Sequence, residues 1–137
     1  MDARADPDGL VTVASRHEFQ ATLDRLVSFL NSSDATIFGL FDHAAGAEAA
    51  GLELAPTTVV VFGDPKAGTA LMHARQSIGI DLPLKILVWR DEAGAVWLSY
   101  NDPDWIARRH GLDPAALPSA AGMAAALSTA VSAAADG

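Results

Sequence analysis

An α+β domain, with a mixed β-sheet of about five strands and helices packed on it, is predicted from three observations. Five short runs rich in β-branched and aromatic residues (10–14, 36–41, 57–62, 84–90 and 95–100) have the length and composition of strands. Most of them are separated by segments whose apolar residues recur at helical spacing. The last two are joined by Asp91-Glu92-Ala93-Gly94, which has the chemistry of a hairpin turn. The expected order is β-α-β-α-β-α-β-β-α-α, a sheet with helices laid against it.

Taken in order, Leu10-Val11-Thr12-Val13-Ala14 reads as the first strand. Ser15-Arg16-His17-Glu18 has capping-box spacing, with Ser15 as the cap and Glu18 reaching back. Phe19, Leu23, Leu26, Val27 and Leu30 then form one apolar helical stripe. Residues 36–41 are apolar on both faces, so a buried strand is expected there, followed by a short alanine-rich helix over 44–50 that ends at Gly51. Residues 57–62 are apolar without alternation, the pattern of a strand inside the sheet. Helices are expected over 65–76, after Asp102-Pro103 up to Gly111, and over 119–134, where Met123, Leu127 and Val131 lie four apart. Asp-Pro recurs at Asp64-Pro65, Asp102-Pro103 and Asp113-Pro114. In each pair Asp can cap free amides while Pro, at the first helical position, gives up a donor that has no partner there. That duty argues against reading these aspartates as catalytic.

The chain has 137 residues, enough for one domain with its own core. Residues 1–9 read as a polar, disordered leader; they carry three aspartates and no apolar stretch of the kind a secretory signal needs. Residues 10–137 read as the single domain. A net charge of −8 with nine scattered basic residues opposes nucleic-acid binding, which needs clustered Lys and Arg. The nearest approach to a cluster, Arg108-Arg109-His110, sits at a helix end and complements the helix dipole. The absence of cysteine excludes disulfides, thiolate nucleophiles and iron–sulfur clusters. No apolar run approaches the ~20 residues that span a bilayer, so no membrane partner is expected and the cytoplasm is the default compartment.

Phe41-Asp42-His43-Ala44-Ala45, the stretch Gly51-Leu52-Glu53-Leu54-Ala55-Pro56-Thr57, and Phe62-Gly63-Asp64-Pro65-Lys66-Ala67-Gly68-Thr69 occur in that order. Asp81-Leu82-Pro83-Leu84-Lys85 and Tyr100-Asn101-Asp102-Pro103 follow them. Together, from about residue 10 to 131, they resemble the bacterial and archaeal family called domain of unknown function 302. Phe41 departs from that pattern, which has an aliphatic residue more often before Asp-His. The resemblance implies a small α+β fold, a homodimer and no established substrate.

Five residues are candidates for a ligand site: Asp42, His43, Lys66, Lys85 and Tyr100. Asp42-His43 supports two readings, a general base or metal ligand at a strand end, or a helix cap followed by a first-turn histidine. Gly63 to Thr69 has the two glycines of a phosphate loop. It lacks the lysine between the second glycine and Thr69, and Pro65 offers no amide, so nucleotide triphosphates are not expected. Lys66 at the helix start could attract a small anion. Lys85 alternates with Leu87 and Trp89, and would need a partner such as Asp81 or Asp42 if buried, or would snorkel to water. Tyr100 ends a strand. Were the strands parallel, its end and those at His43 and Asp64 would converge on one edge.

No nucleophile elbow is present, and a serine triad would have to be assembled from residues with no local signature. His17, His43, His73 and His110 lack metal-ligand spacing, and no motif calls for a cofactor. The leading expectation is therefore a non-catalytic module that binds a small anionic or polar ligand, or dimerises. The alternatives are an enzyme with His43 as base and Lys85 as its electrostatic partner, and a haem or metal carrier.

Overall fold

The computed structural model describes residues 3–136. Its strands are β1 (Ala3–Ala5), β2 (Leu10–Ala14), β3 (Thr36–Asp42), β4 (Thr57–Gly63), β5 (Leu84–Arg90) and β6 (Val96–Asn101). Its helices are α1 (Phe19–Asn31), α2 (His43–Ala49), α3 (Pro65–Ala74), α4 (Pro103–Arg109) and α5 (Pro118–Ala135). Short 3₁₀ segments lie at Gln76–Asp81 and Pro114–Ala116. The α+β class and the order of the main elements agree with the sequence reading.

The sheet runs β1-β2-β6-β5-β4-β3 and every pair in it is antiparallel, not mixed. The reason lies in the excursions between strands. After β4 the chain leaves through α3, turns at Arg75 into the 3₁₀ segment, and returns to the edge it left, where Leu84 pairs with Phe62. After β3, short α2 and the loop behind it likewise bring Thr58 opposite Asp42. Chains that leave and re-enter on one edge give antiparallel neighbours.

Alternation along the strands divides the sheet into two faces. Val11, Val13, Val60, Phe62, Ile86, Val88 and Leu98 point to the helical side and share one core with Leu26 and Leu30 of α1 and with Leu127 and Val131 of α5. Ala120, Ala130, Ala134 and Ala135 of α5 are buried, and their small side chains allow α5 to lie close to α1, α3 and α4. The opposite face carries Val59, Val61, Lys85, Leu87, Trp89 and Trp97. Trp89 and Trp97 stack there with centroids 6.1 Å apart. Trp89 donates to Ser99 Oγ at 3.0 Å, and Trp97 donates to Asp91 at 2.9 Å. The Trp97 bond, helped by backbone amides of the turn, holds the Asp91 carboxyl below the ordinary carboxylate range.

Three local expectations are corrected. The helix α1 is capped by Glu18, whose carboxylate accepts from Ala21 N at 2.7 Å and Gln20 N at 3.3 Å. Ser15 instead shares a 2.7 Å hydrogen bond with the Thr22 hydroxyl. Glu18 is extended, so the helix starts at Phe19 and the longer side chain does the capping. Second, β3 is an edge strand, not a buried one: Phe38, Leu40 and Phe41 are 53%, 46% and 57% exposed. A register shift lies between Ile37 and Gly39, and Ile37 still packs against the core. Third, Ala3–Ala5 lies within the expected disordered leader yet pairs with Val11–Val13 as β1. Asp6 N donates to Leu10 O at 2.8 Å and Gly9 N to Asp6 O at 2.9 Å, closing the turn between the two strands. Residues 1 and 2 of that stretch lie outside the described residues.

The Asp-Pro device works as read. Asp64, Asp102 and Asp113 each accept, at 3.0 Å, from the amide two residues on.

Candidate functional site

The packing of helices on one sheet face leaves a cavity of about 610 Å³ where the end of α1, the C-terminal end of β4, α3 and α5 meet. Its size falls within the ~300–1,000 Å³ of small-molecule sites. Phe38, Phe62, Met72, Leu82, Leu84 and Met123 make it mostly apolar, and Ser33, Asp34, Asp64, Thr69 and Ser119 supply the polar edge. The Gly63 to Thr69 segment forms one wall, contributing every residue except Lys66. A Cβ at Gly68 would stand 3.6 Å from Leu82 Cδ1, so this helix turn rests directly on the segment before β5.

The segment starts α3 with a capping aspartate in place of the free amides of a phosphate loop. Asp64 accepts from the Lys66 amide, and its carboxylate places negative charge where an anion would sit.

The five candidates named from the sequence do not gather in this cavity or anywhere else. Asp42 accepts from Ala45 N at 2.9 Å, capping α2, and lines a separate depression with Glu48, Leu52 and Leu54. His43 is exposed in the first turn of α2. Lys66 is exposed beside the cavity wall. Lys85 lies on the sheet face away from the helices, and its Nζ donates to Pro83 O at 3.2 Å, with neither Asp81 nor Asp42 as partner. Tyr100 lies on the helical side, half-buried opposite Val11 and Ile86. Burial raises its hydroxyl pKa, and the Asp102 carboxylate adds to the rise.

Antiparallel pairing separates Asp42 and His43 from the other three, and opposite sheet faces separate Lys85 from Tyr100. β4 and β6 finish on one edge of the sheet, whereas β3 finishes on the other, where Asp42 faces Thr58. Thr58 is five residues from Gly63, about 17 Å of strand. Asp42 and Lys85 are three residues and two strands apart, about 14 Å on the same spacing, so His43 and Lys85 cannot share a proton. Among the described residues no group of three or more His, Asp or Glu is placed to hold a metal ion.

Sequence reasoning missed a second constellation, on the outer side of the 3₁₀ segment. Ser77 Oγ lies 2.8 Å from His110 Nδ1, and His110 Nε2 lies 2.6 Å from Asp81 Oδ2. Arg109 donates to the other Asp81 oxygen at 2.7 Å, and its guanidinium stands 5.9 Å from the Trp105 ring centre. His110 and Asp81 side chains are only 9% and 12% exposed, whereas Ser77 faces solvent. No periodicity signals this group, because the three residues come from two segments brought together by packing. The Arg-Arg-His run at 108–110 and Asp81 are the parts of it that stand out in the sequence.

Residues 11–133 match the family described as domain of unknown function DUF302. A crystal structure of an uncharacterized conserved DUF302 protein from Bacillus stearothermophilus has the same fold, with a TM-score of 0.80 at 19% identity over 91% of this chain and 97% of that one. The chain is also 48% identical over 104 residues, 76% of its length, to proteins named fluoride-specific ion channel FluC 1 in Brucella suis biovar 1 (strain 1330) and FluC 2 in Brucella melitensis biotype 1. The matched part is 41% and 38% of those proteins, so the chain spans about two-fifths of their length. No helix among the described residues is long and apolar enough to cross a membrane.

Proposed function

As this chain belongs to the DUF302 family, we propose that it is a small-ligand-binding module whose site is the cavity between β4, α1, α3 and α5. The observation that carries this reading is the cavity itself, large enough for a small molecule and lined mostly by apolar side chains. Its polar edge holds Asp34 and Asp64 and no lysine, so a neutral or cationic apolar molecule suits it better than the anion expected from Lys66. N-phenyl-1-naphthylamine, a neutral fluorescent probe, tests it. Saturable 1:1 binding is expected, and Ala126→Trp should weaken it at least tenfold. Ala126 is exposed on α5 and lines the cavity, so the larger ring fills the space without entering the core. Absent or equal binding by the two proteins would reject the site.

Two further properties belong to the same reading. The sheet face bearing Trp89 and Trp97 lies opposite the one that shares its core with α1 and α5, and supports the homodimer that the family resemblance implies. Sedimentation at twice the 14.2 kDa chain mass is the expected result, and a monomer at high concentration the contrary one. The likeness to parts of proteins named as fluoride channels favours a second role: an accessory domain, on the cytoplasmic side, that reports on ligand to a membrane partner.

A further inference from the structure

The geometry points to an ester-hydrolysing site at Ser77, His110 and Asp81, separate from the cavity and selective for small esters that carry an anionic group. A serine becomes a useful nucleophile when a neighbouring base takes its proton and a third group orients that base. All three relations are present. Asp81 Oδ2, 2.6 Å from Nε2, accepts the proton on that nitrogen and thereby leaves Nδ1 as the acceptor facing Ser77 Oγ at 2.8 Å. Asp81 is itself fixed through its other oxygen by Arg109. The base and its orienting carboxylate are shielded, while the serine is open to a substrate.

A purely structural role for this cluster, tying the 3₁₀ segment to the end of α4, is served by Asp81 with Arg109 and His110. It has no need of Ser77, an exposed residue whose hydroxyl adds a bond at the rim.

Substrate charge follows from the surroundings. In a chain of net charge −8, Arg108 and Arg109 adjoin His110, and the Arg75 guanidinium lies 3.8 Å from where a Cβ on Gly111 would stand. These cations favour an anionic acyl ester and stabilise the negative charge that develops on its carbonyl oxygen. Ser77 Oγ adds to the carbonyl carbon as its proton passes to His110 Nδ1, and the carbonyl electron pair moves to oxygen. Collapse of the adduct expels the alcohol, which takes that proton. Water then attacks the acyl-serine, gives a proton to Nδ1, and releases the acid as Ser77 regains its hydrogen. Ester and water become acid and alcohol, with no other reactant.

A fluorophosphonate probe and two esters, 4-nitrophenyl acetate and mono-4-nitrophenyl succinate, decide the matter. The expected result is one covalent adduct, on Ser77, with faster hydrolysis of the anionic ester. Ser77→Ala should lower hydrolysis by at least ~100-fold with unchanged thermal unfolding, and Arg75→Ala should remove the preference for succinate. No adduct on Ser77, adducts scattered over exposed serines, or full hydrolysis by Ser77→Ala would overturn the assignment. The adduct map on the unaltered chain depends on no variant's folding. Competition by N-phenyl-1-naphthylamine should leave it unchanged, so this site and the cavity stand or fall separately.

Discussion

Leu26→Ala is expected to lower the free energy of unfolding by about 2–5 kcal/mol. Leu26 has no exposed surface and sits on the α1 stripe where that helix meets the sheet and α5. The loss combines the transfer of the removed methyl groups with the void they leave, and the void is the larger uncertainty because it depends on how far neighbours relax. Relaxation should be limited here. Four of the buried α5 residues, Ala120, Ala130, Ala134 and Ala135, have no side chain to swing into the gap, and Ile86, Val88 and Leu98 are fixed by strands paired on both sides. A denaturant midpoint in urea measures the effect, and on the thermal scale it corresponds to a fall on the order of 10 °C. A loss below about 1 kcal/mol would show that α1 is not packed as described. Val27→Ala, at a half-buried position on the same helix, should cost clearly less.

The elements that sequence patterning located best are those whose own residues determine them. The α1 stripe, the β5–β6 hairpin around Asp91 to Gly94 and the three Asp-Pro caps depend on neighbours within a few residues, so they are legible locally. The edge position of β3 is not legible in the sequence, because apolar residues on both faces suit a central strand and also an aromatic-rich edge. Only its pairing with β4 alone distinguishes them. The direction of the strands was hidden for a similar reason: it depends on where α2 and α3 return the chain, not on the strand sequences. The site suffered most. A cavity is the space left among four elements, so its walls carry no common pattern, although the Gly63 to Thr69 wall stood out as a motif of another kind. Asp42, His43, Lys66, Lys85 and Tyr100 stand near the ends of elements, and the antiparallel sheet puts Asp42 and His43 at the opposite end from the other three, while Lys85 and Tyr100 lie on opposite faces.

Gly9→Ala should be the most damaging change outside the core, with a loss of about 2–4 kcal/mol from two independent sources. Gly9 has φ +86°, in the region that residues with a Cβ rarely adopt. A Cβ there would also overlap the Trp105 ring and stand 2.8 Å from Trp105 Cβ. The backbone cannot yield easily, because Gly9 O accepts from Asp102 N at 2.7 Å, and Asp102 is itself the cap of α4. The turn between β1 and β2 is thus held against the start of α4. Strain at residue 9 should pass into α4 through Trp105 and the Asp102 cap. The same helix ends at Arg109 and His110, so fluorophosphonate labelling of Ser77 should slow in Gly9→Ala in step with the fall in stability. Thermal unfolding of Gly9→Ala within 1–2 °C of the parent, a change well below that expected for such a loss, would mean that the turn is free to move away from Trp105.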